Sequence, residues 1–418
     1  MKHSLVETAK TVLIVVLIIS LTLLFAASIP TNTIQNTPWM STVLSPLASV
    51  LGLPAAELAY VADTQSVQSA AQPMTISICN SSGRHTAQWD FDALDGAYET
   101  LGSLLGQALE TAEPFSLVRQ FLLTQALTRP SVCFDYGFSL PAVLAASWLD
   151  TELAQETPDS IRYILTLEEE QVFLYLQGTA SYRAVTRVDP VKFSTLLEQF
   201  PADGSQFAFE TQSHLAPLSI LPGTVPVVRA AQTQSLCTSR YIETLANDLG
   251  FNPYDDSRYT DSADVTHFSE PGGSLQISAD GRIRFTATTE RITASGSSLE
   301  SLVEKARSLL SLAVDSTTTG ARLYLSGITQ TEEQTVCTFD YVLGGIPVRW
   351  HDGPGAEVTF VGQTVTGLQV RAVSFTYTGQ NQRLLPPVQA AAVLQKDGSL
   401  QLQYHVSAVG EAAVGWAK

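Results

Sequence analysis

Residues 74–112 read MTISICNSSGRHTAQWDFDALDGAYETLGSLLGQALETA, and their hydrophobic period changes midway. Met74 to Cys79 alternates in the manner of a strand, Asn80 to Gly83 carries turn residues, and His85 to Trp89 returns. From Asp92 to Ala112 the apolar residues recur at helical spacing. Leu94, Ala97, Tyr98, Leu101, Leu104, Leu105, Ala108 and Leu109 share one face, with Asp92 placed as N-cap. A hairpin followed directly by a long amphipathic helix predicts an α+β unit.

The pattern continues downstream. A second helix is expected over Phe115 to Leu127, stopped by Pro130, with a strand at Val132 to Tyr136. Ile161 to Leu167, Val172 to Leu176 and Tyr182 to Val188 read as successive antiparallel strands, with Ile161, Tyr163, Leu165 and Leu167 on one face. A helix at Val191 to Phe200 and a strand at Gln206 to Thr211 complete this first unit, 73–215. Pro217, Pro222 and Pro226 mark a linker, 216–228.

The second unit, 229–418, opens with a helix at Ser239 to Leu249, closed by Gly250. Ser274 to Ser278 and Arg282 to Ala287 flank the hairpin signal Ala279-Asp280-Gly281. A helix is expected at Leu299 to Leu312. Strands follow at Arg322 to Ser326, Thr335 to Leu343, Glu357 to Phe360 and Gly367 to Tyr377, then a helix at Pro387 to Leu394 and a strand at Leu400 to His405. Val132-Cys133-Phe134-Asp135-Tyr136 echoes Val336-Cys337-Thr338-Phe339-Asp340-Tyr341, which suggests two related units.

Upstream, Thr11 to Ile29 reads TVLIVVLIISLTLLFAASI without a charged side chain. About 20 apolar residues cross the hydrocarbon core as a helix. Lys2 and Lys10 precede the run, and the next basic residue is Arg84, so residues 1–10 are expected in the cytoplasm and the body outside. A cleaved signal peptide has a shorter apolar region, about 7–15 residues, so a retained single-pass anchor is expected despite the small residues Ala26, Ala27 and Ser28. Residues 30–72 carry Pro30, Pro38, Pro46 and Pro54 without Lys or Arg, and form an apolar connector. The fold class is thus one transmembrane helix followed by two extracytoplasmic units of antiparallel sheet with packed helices.

Forty acidic against 23 basic residues give a formal net charge of −17, which argues against nucleic acid as a partner. Cys79, Cys133, Cys237 and Cys337 show no CxxC pair, so no zinc site is expected. Their spacing permits one bridge per unit, and equally four buried thiols. HExxH, GxSxG, SxxK, P-loop and dinucleotide motifs are missing from the sequence, and His85, His214, His267, His351 and His405 stand apart from one another along it. Asp255, Asp256, Asp261 and Asp264 form the best carboxylate cluster, but their spacing is not that of an EF-hand loop, so no metal is assigned. Gly344-Gly345-Ile346-Pro347 and Asp352-Gly353-Pro354-Gly355 are turn formers. No catalytic, cofactor-binding or metal residue is predicted. Candidate contacts lie instead in the anchor, at Ser20, Thr22, Ala26 and Ala27, and in the connector, at Trp39, Leu44, Leu47 and Leu51.

The chain resembles the YycH and YycI membrane-anchored regulators. The resemblance rests on the short start and single anchor, on LANDLGFNPYD leading through Tyr259 to GGSLQISADGRIRF, on VCTFDYVLGGIPV from Val336 to Val348, and on LLPPVQAAAVLQ with SLQLQYHV and Gly415-Trp416. It is stronger in the second unit, whose helix-plus-sheet pattern is also PepSY-like. The resemblance implies a non-enzymatic role, association with the sensor histidine kinase WalK (YycG) in the same membrane, cell-wall control, and a paralogous YycH/YycI-type protein as a further partner. An anchored envelope enzyme or a PepSY-like protease inhibitor is the alternative.

Overall fold

A computed structural model describes residues 72–418 except 212, 225, 256–257, 315–320, 394–397 and 418. The anchor and connector lie outside the described residues, and among those described no helix is long and apolar enough to cross a membrane. The described residues fall within one compact unit, Gln65–Lys418.

The first sheet draws on β1 (Thr75–Asn80), β2 (Gly83–Ala87), β3 (Ser116–Val118), β4 (Ser131–Leu140), β5 (Ser160–Glu168), β6 (Gln171–Gln177) and β7 (Ser181–Val185). Its order is β2-β1-β4-β5-β6-β7-β3, and every pairing is antiparallel. Helix α1 (Phe91–Thr111) covers one face. Leu94, Ala97, Leu101, Leu104, Leu105, Ala108 and Leu109 are buried as their spacing requires. Each fully buried leucine contributes ~2 kcal/mol of transfer free energy.

The cap is Asp90, not Asp92. Trp89 takes a positive φ of 58°, Asp90 stays extended, and its carboxylate accepts from the N–H groups of Asp92 and Ala93. Asp92 already lies in the first turn, where its charge suits the helix N-terminus.

The expected second helix is two elements. Ser116–Val118 pairs with the otherwise open edge of β7, and only α2 (Gln120–Ala126) is helical. Strand pairing outcompetes helix extension there because β7 offers unpaired backbone groups. Helix α3 (Ala142–Trp148), short and Ala-rich, was not predicted. Helix α4 (Pro190–Leu197) opens with Pro190 under an Asp189 cap, as Pro at the first helical position favours.

Strand alternation on β5 holds, with both faces buried. Tyr163 and Leu165 join the main core, while Ile164 joins a second cluster with Leu123, Ala126, Leu127, Cys133, Tyr175, Phe207 and Leu218. The first sheet is therefore covered on both faces. The lid over its second face comes from α2 and from residues 206–221, where β8 (Gln206–Phe207) pairs with β9 (Ile220–Leu221). The strand expected at Gln206 to Thr211 is shorter, because Ala208–Glu210 winds into a 3-10 turn.

The second sheet has 13 strands. They are β10 (Val228–Ser235), β11 (Tyr259–Thr260), β12 (Val265–Glu270), β13 (Gly273–Ser278), β14 (Arg282–Ala287), β15 (Ala321–Gln330), β16 (Thr335–Leu343), β17 (Ile346–Trp350), β18 (Ala356–Val361), β19 (Thr364–Arg371), β20 (Val373–Gln382), β21 (Gln401–Val406) and β22 (Glu411–Ala417). The order runs β11-β12-β13-β14-β19-β18-β16-β17-β21-β22-β10-β20, with β15 on β16. Helices α5 (Ser239–Asp248), α6 (Leu299–Ala313) and α7 (Pro387–Val393) complete the chain.

Gly367 to Tyr377 is two strands, not one. The chain turns at Ala372, so that β19 pairs with β14 and β18 while β20 pairs with β10. The bend is held by Ala372 N–H donating to Gly281 and by Leu236 N–H donating to Ala372. Strands β10, β11, β12, β17 and β22 go beyond the expected elements; several are short or polar, and β17 directly follows the Gly344-Gly345 turn.

The two sheets meet on named contacts. Gly345, at φ +80°, lets the β16–β17 turn approach the start of α1 so closely that a Cβ there would lie 2.5 Å from the Asp90 nitrogen. Trp89 packs edge-on against Trp416 at 5.7 Å. Arg322 donates from Nη1 and Nη2 to both carboxylate oxygens of Asp95, at 3.1 and 2.9 Å, with its guanidinium 4.1 Å over Phe91.

The sequence echo is real in one respect. Asp135 on β4 binds Arg162 at 2.6 Å, and Asp340 on β16 binds Arg349. Phe134 and Tyr136 match Phe339 and Tyr341 in being buried. The cysteines are out of phase, so Cys133 faces the second cluster and Cys337 the main core. All four cysteines are free thiols, and burial pushes Cys133 and Cys337 up to about 12.

Candidate functional site

The outer face of the second sheet is concave where β12, β13, β14, β19 and β18 lie side by side. Their apolar residues Leu275, Ile277, Ile283, Phe285, Val358, Leu368 and Val370 point inward and are buried. The alternate positions point outward. Ladder register sets His267 opposite Gln276, Gln276 opposite Arg284, Arg284 opposite Gln369, and Gln369 opposite Glu357. Direct cross-strand partners share a face, so these five form one polar row across the strands.

A cleft of about 670 Å3 lies over this row. Its lower wall is ionic. Arg282 faces Arg371 across the ladder, a like-charge pair that alone would be unfavourable. Asp280 and Asp352 offset it: Arg282 Nε donates to Asp280 Oδ2 at 2.7 Å, and Arg371 Nη2 to Asp352 Oδ1 at 2.6 Å. Arg371 also lies 4.6 Å over the Trp350 ring. The hydrogen bond to Asp280 raises the Arg282 guanidinium above its usual range.

At the other end, Asp261 Oδ2 lies 2.9 Å from His267 Nε2, and the imidazole stacks on Tyr259 at 4.6 Å. Asp261 Oδ1 accepts from the N–H groups of Ala263 and Val265. The His267 contact, then these backbone bonds, hold the Asp261 carboxyl below its usual range. No hydroxyl or thiol is hydrogen-bonded to the second ring nitrogen of His267 among the described residues.

Of the carboxylate cluster, Asp261 and Asp264 both line the cleft, the Asp264 N–H donating to the Asp261 carbonyl. Asp261 closes its own turn, Asp264 stands at the cleft rim with φ +56°, and Asp256 lies outside the described residues. No group of three metal-ligating side chains is assembled among the described residues. Ser20, Thr22, Ala26, Ala27, Trp39, Leu44, Leu47 and Leu51 lie outside them. Sequence reasoning missed Arg282, Arg284, Asp352 and Arg371. The alternation Arg282-Ile283-Arg284-Phe285 places both arginines on one face; their partners from β18 and β19 come from much later in the chain.

No family model matches the sequence, and no curated protein matches it. Among solved structures, the chain is similar to the crystal structure of YycH from Bacillus subtilis, with a TM-score of 0.54 and 11% identity over 84% of this chain and 96% of that one. The body is thus a mixed α+β protein dominated by antiparallel strand pairing, with β17 and β21 parallel, and its fold is like that of YycH.

Proposed function

We propose that this chain is a membrane-anchored, non-enzymatic regulator that modulates a two-component sensor histidine kinase controlling cell-wall metabolism. The observation that carries the reading is the YycH-like fold over 84% of the chain, on a sequence whose uncharged run Thr11 to Ile29 has the length of one membrane span. A body held outside by one helix reaches a kinase in the same membrane through two surfaces. One is the helix, where Ser20, Thr22, Ala26 and Ala27 are small enough for close packing and Ser20 and Thr22 supply hydrogen bonds of ~1 kcal/mol. The other is extracytoplasmic, in the body or at Trp39, Leu44, Leu47 and Leu51 of the connector.

The test replaces Thr11 to Ile29 by an unrelated single-span helix of equal length and measures kinase co-purification and cell-wall gene output. Loss of both locates recognition in the helix. Persistence of both makes the helix a tether and moves the contact outward. Failure of the native chain to co-purify with any histidine kinase, with unchanged gene output on its deletion, rejects the reading. Protease added to protoplasts should degrade the body; a mature chain beginning near Ser28 in the medium rejects the anchor.

A further inference from the structure

We propose that the cleft over β12, β13, β14, β19 and β18 binds a short zwitterionic peptide, its free α-carboxylate on Arg284 and its α-ammonium at Glu357. This site is independent of the kinase reading. The argument begins with which charges in the cleft are already used. Asp261 serves His267 and two backbone amides. Asp280 and Asp352 serve Arg282 and Arg371. Arg284 and Gln369 are exposed, Gln276 and Glu357 half-buried, and none of the four has a hydrogen bond or ion pair among the described residues.

These four unpartnered side chains occupy one ladder row, and their chemistry is ordered. A carboxylate presents about four lone-pair sites. The Arg284 fork takes two of them, and the carboxamides of Gln276 and Gln369, one on each side, reach the remainder. Glu357 stands one strand beyond Gln369 and so two strands from Arg284, about 10 Å at ~4.8 Å per strand. Three extended residues span about 10 Å. A tripeptide therefore sets its two termini on Arg284 and Glu357, leaving the exposed carboxylate of Asp264 at the cleft rim.

Overall charge selects the same class. A chain at −17 disfavours a simple anion at long range. A zwitterion carries no net charge and feels only the local field. Arg282 and Arg371, neutralised by Asp280 and Asp352, form a wall that orders the cleft without adding a second free cation.

The experiment titrates Ala-Ala-Ala into the detergent-solubilised full chain by calorimetry, against its C-terminal amide, its N-acetyl form, and the di- and pentapeptide. Saturable binding is expected, strongest for the tripeptide, and weakened about tenfold or more by amidation or by Arg284→Gln, the loss of one charge-assisted bidentate contact. N-acetylation and Glu357→Gln weaken it by a smaller factor. In the double cycle, the amide loses nothing further on Arg284→Gln, because both changes remove the same contact. Arg284 and Glu357 lie outside the core, and circular dichroism checks that both variants fold. Absence of saturation up to about 10 mM overturns the proposal. So do additive losses from amidation and Arg284→Gln.

Discussion

The two sheets are built from similar strands but treat their second faces differently. The first sheet is covered on both sides, by α1 on one and by α2 with residues 206–221 on the other. The second sheet leaves the outer face of β12 to β14, β18 and β19 open to solvent. The difference is written in the strands. Tyr163-Ile164-Leu165 and Leu174-Tyr175-Leu176 are continuously apolar and buried, whereas Arg282 to Ala287 alternates exposed and buried at every residue. A strand covered twice has no polar face to keep wet, while a half-covered strand must alternate. Covering a face removes it from function; the open face is where unpartnered polar groups gather.

The largest test of this contrast compares Ile164→Ala with Arg284→Ala. Ile164 belongs to the second cluster, so its truncation should cost about 2–5 kcal/mol. Arg284 occupies the outer face of β14, and its truncation should stay within about 0.5 kcal/mol. Urea unfolding of the two purified variants measures both. Equal and small costs would mean that the first sheet's second face is not a core, and the contrast would collapse.

A middle-sized effect concerns how the sheets are joined. Gly345→Ala meets both a left-handed φ and the Asp90 backbone, whereas Gly362→Ala, at φ +59°, meets open space. Strain alone costs ~1–2 kcal/mol, so Gly362→Ala should lose about that and Gly345→Ala clearly more. The excess, read as a difference in urea midpoint, measures the tight approach of the second sheet to α1. Equal losses would show that the approach relaxes without cost.

The smallest effect distinguishes the sheets by pH. Glu270 on β12 accepts from Arg291 and from the Asn252 N–H, which hold its carboxyl below the usual range. A folded value below the unfolded one stabilises above the ordinary carboxylate range, ~4, and that contribution disappears as pH falls through the lowered value. The wild-type urea midpoint should therefore drop between about pH 5 and 3, and Glu270→Gln should drop less. An identical acid loss in both proteins would remove this edge contact from the account.

Elements with a long, unbroken period were legible in the chain. Helix α1, the β5-β6-β7 strands, α6 and the Asp280-Gly281 hairpin all follow from local alternation or helical spacing. So does the YycH-like resemblance, which the fold reproduces at 11% identity. Short or polar elements were not legible. Ser116–Val118 is a strand only because β7 offers an edge, and Val228–Ser235 only because β20 and β22 flank it. The cap moved from Asp92 to Asp90 because Trp89 takes a positive φ that packing against Trp416 accompanies.

What the residue order determined by itself is the α+β class, the antiparallel hairpins and the acidic balance, because each depends on neighbours within a turn or two of chain. Only the tertiary structure decided which faces are covered and which charges remain free. Arg282 faces Arg371, and Arg284 faces Gln369, through pairings between residues 89 and 85 positions apart in the register of β14 with β19. Local pattern states that a side chain points outward; it carries no information on what stands opposite, since register between distant strands is set by the packing of the whole sheet.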